Sequence, residues 1–126
     1  MSNNMHTVSP LGKTWIFDLD GTIVKHNGYK IDGHDTLLDG AKEFFDSIPQ
    51  SDMILIITAR TEEYRRSTLD FLASAGIRYD QIIFGAPYGE RIVINDKKPS
   101  GLKMSLAVDT ERDVFMSDRF MIDRSI

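Results

Sequence analysis

The chain has no cysteine. Disulfides, thiolate metal sites and a cysteine nucleophile are therefore excluded. No apolar run approaches the ~18 residues that a membrane-spanning helix needs. The opening stretch, MSNNMHTVSP, lacks both the basic flank and the apolar core of a secretory signal. Basic residues are in deficit, with 15 Lys+Arg against 19 Asp+Glu and a net charge of −4. That balance is a poor electrostatic basis for non-specific binding to nucleic acid or an anionic membrane. Repeats and low-complexity tracts are also missing. The expectation is a soluble cytoplasmic protein for which a membrane is excluded and nucleic acid disfavoured. What is present suffices for one domain: 126 residues, 41% of them hydrophobic, should bury about two-thirds of the unfolded surface.

Residues 1–12 are polar and read as a flexible leader. Residues 13–109 alternate strand and helix patterns, and residues 110–126 form a tail without clear periodicity. Thr14-Trp15-Ile16-Phe17 is a short buried-strand pattern that runs into Asp18-Leu19-Asp20-Gly21. A long excursion over 21–36 follows. Leu37, Ala41, Phe44, Phe45 and Ile48 then share one helical face, stopped at Pro49. Met53 to Ile57 is continuously apolar, as in a central parallel strand, and ends in Thr58-Ala59-Arg60. A second helix is expected from Thr61, with Glu62 and Glu63 favoured by the helix dipole and Gly76 as its stop. Gln81 to Phe84 predicts a short strand. Arg91 to Ile94 predicts a better one, ending in Asn95-Asp96, and Ser105 to Val108 a weaker one.

This order predicts an α/β fold: a Rossmann-like open, mainly parallel sheet with helices on both faces. Only residues 85–90 separate the third and fourth strand patterns, fewer than a parallel crossover normally uses. Three solutions remain open: a very short third strand, a crossing without a helix, or an antiparallel pair.

Three apolar strands thus end in polar groups: Asp18/Asp20, Thr58 and Asn95/Asp96. Ligands of open α/β sheets bind beyond the carboxyl ends of the strands. Carboxylates gathered there suit a hard divalent cation, Mg²⁺ above all. Strand alternation puts Asp18 and Asp20 on one side. One carboxylate can then attack phosphorus while the other handles a proton.

Ile16-Phe17-Asp18-Leu19-Asp20-Gly21-Thr22 resembles the first motif of the haloacid dehalogenase (HAD) superfamily, a hydrophobic strand followed by DxDGT. Ile56-Ile57-Thr58-Ala59-Arg60 resembles its second motif, and Ile92-Val93-Ile94-Asn95-Asp96 its fourth. The resemblance implies a capless HAD-type core and Mg²⁺-dependent hydrolysis of phosphomonoesters. Asp18 would be the nucleophile and a metal ligand. Asp20 would be the acid–base residue and would bind the metal through its carbonyl. Asp96 would complete the metal site. Thr58, with Ala59 and Arg60, would hold the phosphoryl group.

The family's third-motif lysine has no counterpart, since Gly85-Ala86-Pro87 stands where small relatives often have Gly-Lys-Pro. Lys98, two residues after Asp96 and before Pro99, is the chosen substitute. Without room for a cap, the expected substrate is a sugar phosphate or a large phosphorylated molecule, or a neighbouring subunit closes the open site. The competing reading is a weakened phosphate-binding or regulatory module. A phosphoacceptor receiver is disfavoured, because its acceptor Asp follows the third strand.

Overall fold

The computed structural model describes residues 4–126. Their contacts divide the chain into two units. One comprises Gly12–Pro87 with Thr110–Met116. The other comprises the chain up to Leu11, Tyr88–Asp109 and Ser117–Ile126. This division cuts across the expected leader, domain and tail.

In the larger unit, β2 (Thr14–Asp18), β3 (Met53–Ile57) and β4 (Gln81–Ile83) form an all-parallel sheet in the order β2-β3-β4. The register pairs Asp18 with Ile57 and Ile57 with Ile83. The strands therefore end level, at one edge. Helix α1 (Gly28–Ile31) interrupts the excursion after β2, and α2 (Ala41–Ser47) leads to β3. A 3₁₀ turn over Glu62–Tyr64 feeds α3 (Arg65–Ser74). Helix α2 starts later than its apolar stripe, for a local reason. Leu37 is extended and pairs with Val24, and Gly40 takes φ 91°, which no helix interior accommodates. Helix α3 ends at Gly76 (φ 70°), where the Ile77 N–H donates to the Leu72 carbonyl, 3.0 Å, closing the last turn.

The core of this unit holds Phe17, Leu19, Ile23, Ile54, Ile56, Phe45 and Leu72. Phe44 packs edge-on against Trp15, and Phe115 joins from the expected tail, 5.7 Å from Phe44 between ring centres. Asp52 is buried but satisfied: it accepts from the Lys13 N–H at 3.0 Å and the Trp15 indole at 2.9 Å.

In the smaller unit, β1 (Met5–Val8) pairs parallel with β5 (Arg119–Ile122). His6 stacks on Phe120 and lies 2.6 Å from Asp118. Part of the expected flexible leader is thus a strand; its first three residues lie outside the described ones. The strands expected at 91–94 and 105–108 do not form. Ile92 and Ile94 are 81% and 91% exposed. An apolar β-branched run becomes a strand only where a neighbour completes its ladder and covers a face, and none does so here. The absence of a fourth strand also resolves the crossover question, since the third strand is three residues long and parallel. Among the described residues no helix is long and apolar enough to cross a membrane.

Candidate active site

The carboxyl edge of β2 carries the acids. Asp18 closes the strand, and Leu19 plugs the core behind it. A tight turn follows: the Thr22, Ile23 and Val24 N–H groups all converge on the Leu19 carbonyl, at 3.2, 2.9 and 3.2 Å. Gly21 makes the turn at φ 82°, a left-handed conformation that disfavours any side chain. The Thr22 hydroxyl returns to donate to Asp18 Oδ2, 3.1 Å. Asp18, Asp20, Gly21, Thr22, Thr110 and Arg112 line one open cavity of about 260 Å³.

Asp20 is held from behind by Arg60. The Arg60 Nε and one terminal nitrogen donate to the two Asp20 oxygens at 3.0 and 2.9 Å. The terminal nitrogens also donate to both oxygens of Asp35, at 3.0 and 2.7 Å, and to the Thr68 hydroxyl at 2.9 Å. The guanidinium lies 3.8 Å over the Tyr29 ring. Its side chain is 1% exposed, against 5% for Asp35 and 17% for Asp20. Burial opposes its charge, but the hydrogen bonds to Asp35 and Asp20 and their negative charge outweigh that and hold it well above the ordinary arginine range. Burial, and then the Asp20 charge, raises the Tyr29 phenol.

The structure brings together only part of the expected site. Asp18 and Asp20 share the cavity. Thr58 ends the neighbouring strand but is 1% exposed, its hydroxyl oxygen accepting from the Arg60 N–H at 3.1 Å. Thr58 and the half-buried Ala59 stand beside the acids at the sheet edge, not in the cavity wall. Arg60, expected to contact phosphate, instead has its guanidinium donors committed to Asp20, Asp35 and Thr68. Asp96 and Lys98 belong to the smaller unit, exposed in a stretch without regular structure. There the Lys98 N–H and carbonyl form a turn with Leu102 and Gly101. The reasoning that aimed Lys98 alongside Asp96 required an extended strand end, and that strand is absent.

Among the described residues no group of three His, Asp or Glu side chains is placed to hold a metal. The Asp18 carboxylate and the Asp20 carbonyl, which accepts no backbone N–H among the described residues, belong to residues lining the cavity and are hard oxygen donors of the kind such an ion takes.

Sequence reasoning missed Asp35, Thr68 and Tyr29 around Arg60, and Thr110 and Arg112 in the cavity. Thr68 lies within the helix expected between Thr61 and Gly76. Tyr29 lies in the short helix α1 and Asp35 in the loop after it, both in a stretch with no periodicity, and Arg112 is 92 positions beyond Asp20, so no local signal marked them.

A parallel sheet whose strand ends carry the polar groups, with helices in the connections, defines an open Rossmann-like α/β fold. Comparison with known proteins agrees on that class. No family model matches the chain, and no curated protein does. Two solved structures are similar over 68% of this chain at 26% identity. One is described as a Pnkp1/Rnl/Hen1 complex, TM-score 0.51, and the other as the Pnkp1/Rnl/Hen1 RNA repair complex, TM-score 0.52. This chain spans 32% and 29% of the chains it matches there, under a third of their length.

Proposed function

We propose that the chain is a phosphomonoester hydrolase working through an aspartyl-phosphate on Asp18, with Mg²⁺ held by the Asp18 carboxylate and the Asp20 carbonyl. The observation that carries this reading is the pairing of Asp18 and Asp20 at one cavity, the first backed by Thr22 and the second by Arg60. A bound Mg²⁺ would offset the repulsion between carboxylate and phosphate.

The protein's own groups then act in sequence. The Thr22 hydroxyl donates to Asp18 Oδ2, and the carboxylate it orients attacks phosphorus. The phosphorus–oxygen bond to the leaving group breaks, and Asp20 gives that oxygen its proton. Asp20, again a carboxylate, takes a proton from water, and the hydroxide attacks the aspartyl-phosphate. Phosphate leaves, and Asp18 and protonated Asp20 are restored. Arg60 keeps Asp20 aimed at the cavity, although each protonation of Asp20 weakens one of the two hydrogen bonds between them.

Turnover of an aryl phosphate tests the reading. It should require Mg²⁺, stop with chelator, and vanish in Asp18→Asn with the fold intact. A parent that binds phosphate but turns over no phosphoester would instead identify a binding or regulatory module.

A second substrate reading competes with a sugar phosphate. The two similar solved chains belong to an RNA repair complex in one description. That favours a phosphate at a nucleic-acid end over the prior set by a net charge of −4. Comparing kcat/KM on a 3′-phosphorylated oligonucleotide with that on a panel of sugar phosphates decides between them.

A further inference from the structure

We propose that Arg112 is the cation that receives the substrate's anionic group in the Asp18/Asp20 cavity, and that Asp113 is the residue that positions it. This deepens the phosphomonoester reading and rests on it. The starting point is charge. Two carboxylates face the cavity, and a phosphate dianion entering it needs a counter-charge with donors aimed inward. Arg60 cannot serve, because its fork is bound to Asp20, Asp35 and Thr68. The remaining lining groups are Gly21, the hydroxyls of Thr22 and Thr110, and Arg112. Arg112 is exposed and enters no ion pair among the described residues. Its planar guanidinium is suited to binding two phosphate oxygens at once.

The segment that carries Arg112 is fastened on both sides. Asp113 sits at φ 66°, unusual for a residue with a side chain. Its N–H donates to the Gly21 carbonyl at 2.8 Å. Its carboxylate accepts from the His26 N–H at 2.7 Å. Two residues on, Phe115 is buried in the core against Phe44. Gly21 provides the passage: a Cβ built there would lie 3.2 Å from Arg112 Cγ and 3.6 Å from His26 Cβ. The glycine of the DxDG turn therefore has a second role beyond its φ, since it lets the arginine stem run across the floor of the site. The His26 Nδ1, buried and without a partner among the described residues, borders the same point at 3.7 Å. Nothing in this arrangement is periodic. The cation arrives from the far end of the chain and is held by backbone hydrogen bonds.

The test uses the full chain with Mg²⁺ and two probes, inorganic phosphate by calorimetry and an aryl phosphate by kinetics. Arg112→Ala should lower kcat by about 10²–10³-fold, as expected for one removed charge-stabilising donor. It should also weaken phosphate binding at least tenfold, with Arg112→Lys recovering part of both. Asp113→Ala should weaken phosphate binding in the same direction but less. Asp113→Asn, whose amide oxygen still accepts from His26, should recover it, a rescue that loss of charge alone would not produce. Trp15 fluorescence confirms folding of each variant. If Arg112→Ala keeps both kcat and phosphate affinity while Asp18→Asn is inactive, the inference is overturned and the hydrolase reading stands. If the parent turns over nothing yet binds phosphate through Arg112, the hydrolase reading falls and the inference stands. A parent that neither binds phosphate nor turns over the aryl phosphate overturns both.

Discussion

Replacing Arg60 with methionine keeps an unbranched stem but removes the charge that joins Asp20 to Asp35. The guanidinium makes five hydrogen bonds of 2.7–3.0 Å, four to the two carboxylates and one to Thr68. After substitution, the two carboxyl groups face each other across the space it leaves without the cation between them, with Asp35 only 5% exposed. Removing one partner of a buried ionic network costs about 3–5 kcal/mol, mostly from the charge left without compensation. Against a typical domain stability of roughly 5–15 kcal/mol, that is a large share. Arg60→Lys should lose less than Arg60→Met but still more than ~1 kcal/mol, because an ammonium restores charge without the fork that meets two carboxylates. Urea unfolding followed by Trp15 suits the measurement, since the chain has one tryptophan and it lies on β2 beside this core. The midpoint should fall with an unchanged slope. Adding Asp35→Ala to Arg60→Met should recover stability, giving a coupling of about 1–3 kcal/mol. A loss below ~1 kcal/mol in Arg60→Met, or strict additivity in the double variant, would show that the network holds nothing together.

Three further outcomes follow from the same geometry. Asp20→Asn should cost far more on an alkyl phosphate than on an aryl phosphate, whose leaving oxygen needs little proton help; equal losses on both would remove Asp20 from the acid role. Phe115→Ala should destabilise the larger unit by about 3–5 kcal/mol, as for a buried aromatic, and should weaken phosphate binding because the segment bearing Arg112 loses its anchor. Unchanged Trp15 unfolding would show that Phe115 is not part of that core. The hydrogen bond from Lys25 holds the Asp32 carboxyl below its usual range, and the Lys25 charge adds to it. Its folded value is depressed, so the contribution is present above the unfolded value of ~3.9 and is lost as pH falls through the folded one. An NMR titration should find the Asp32 midpoint low and returning toward ordinary in Lys25→Met; no change in that variant would assign the shift elsewhere.

How much of this was legible in the residues differs from one element to the next. The runs at 15–17 and 53–57 are apolar throughout, and pairing within a sheet is one of the few ways to bury such a run. Both formed, in parallel and in register, and the acids stand at the strand end where their order placed them. The run at 91–94 has the same local character and formed no strand, because pairing is a property of two segments and not of one. Asp96 and Lys98, whose aim depended on that strand, had no geometry of their own. Arg60 shows the opposite case. Its position at the sheet edge was legible, but its partners were not. Whether a guanidinium at a strand end meets a ligand or two carboxylates depends on where residues 20 and 35 fold back, which no spacing encodes. Arg112 stands at the far limit. Composition, periodicity and motif order are local quantities, whereas the wall of a cavity is assembled from whatever the backbone carries past it. The chain order alone therefore determined the acid pair, the glycine turn and the parallel strands. Tertiary structure alone decided which cation lines the cavity beside those acids, because long-range contacts bring it there: the Asp113 N–H on the Gly21 carbonyl, 92 positions away, the His26 N–H on the Asp113 carboxylate, and Phe115 in the core.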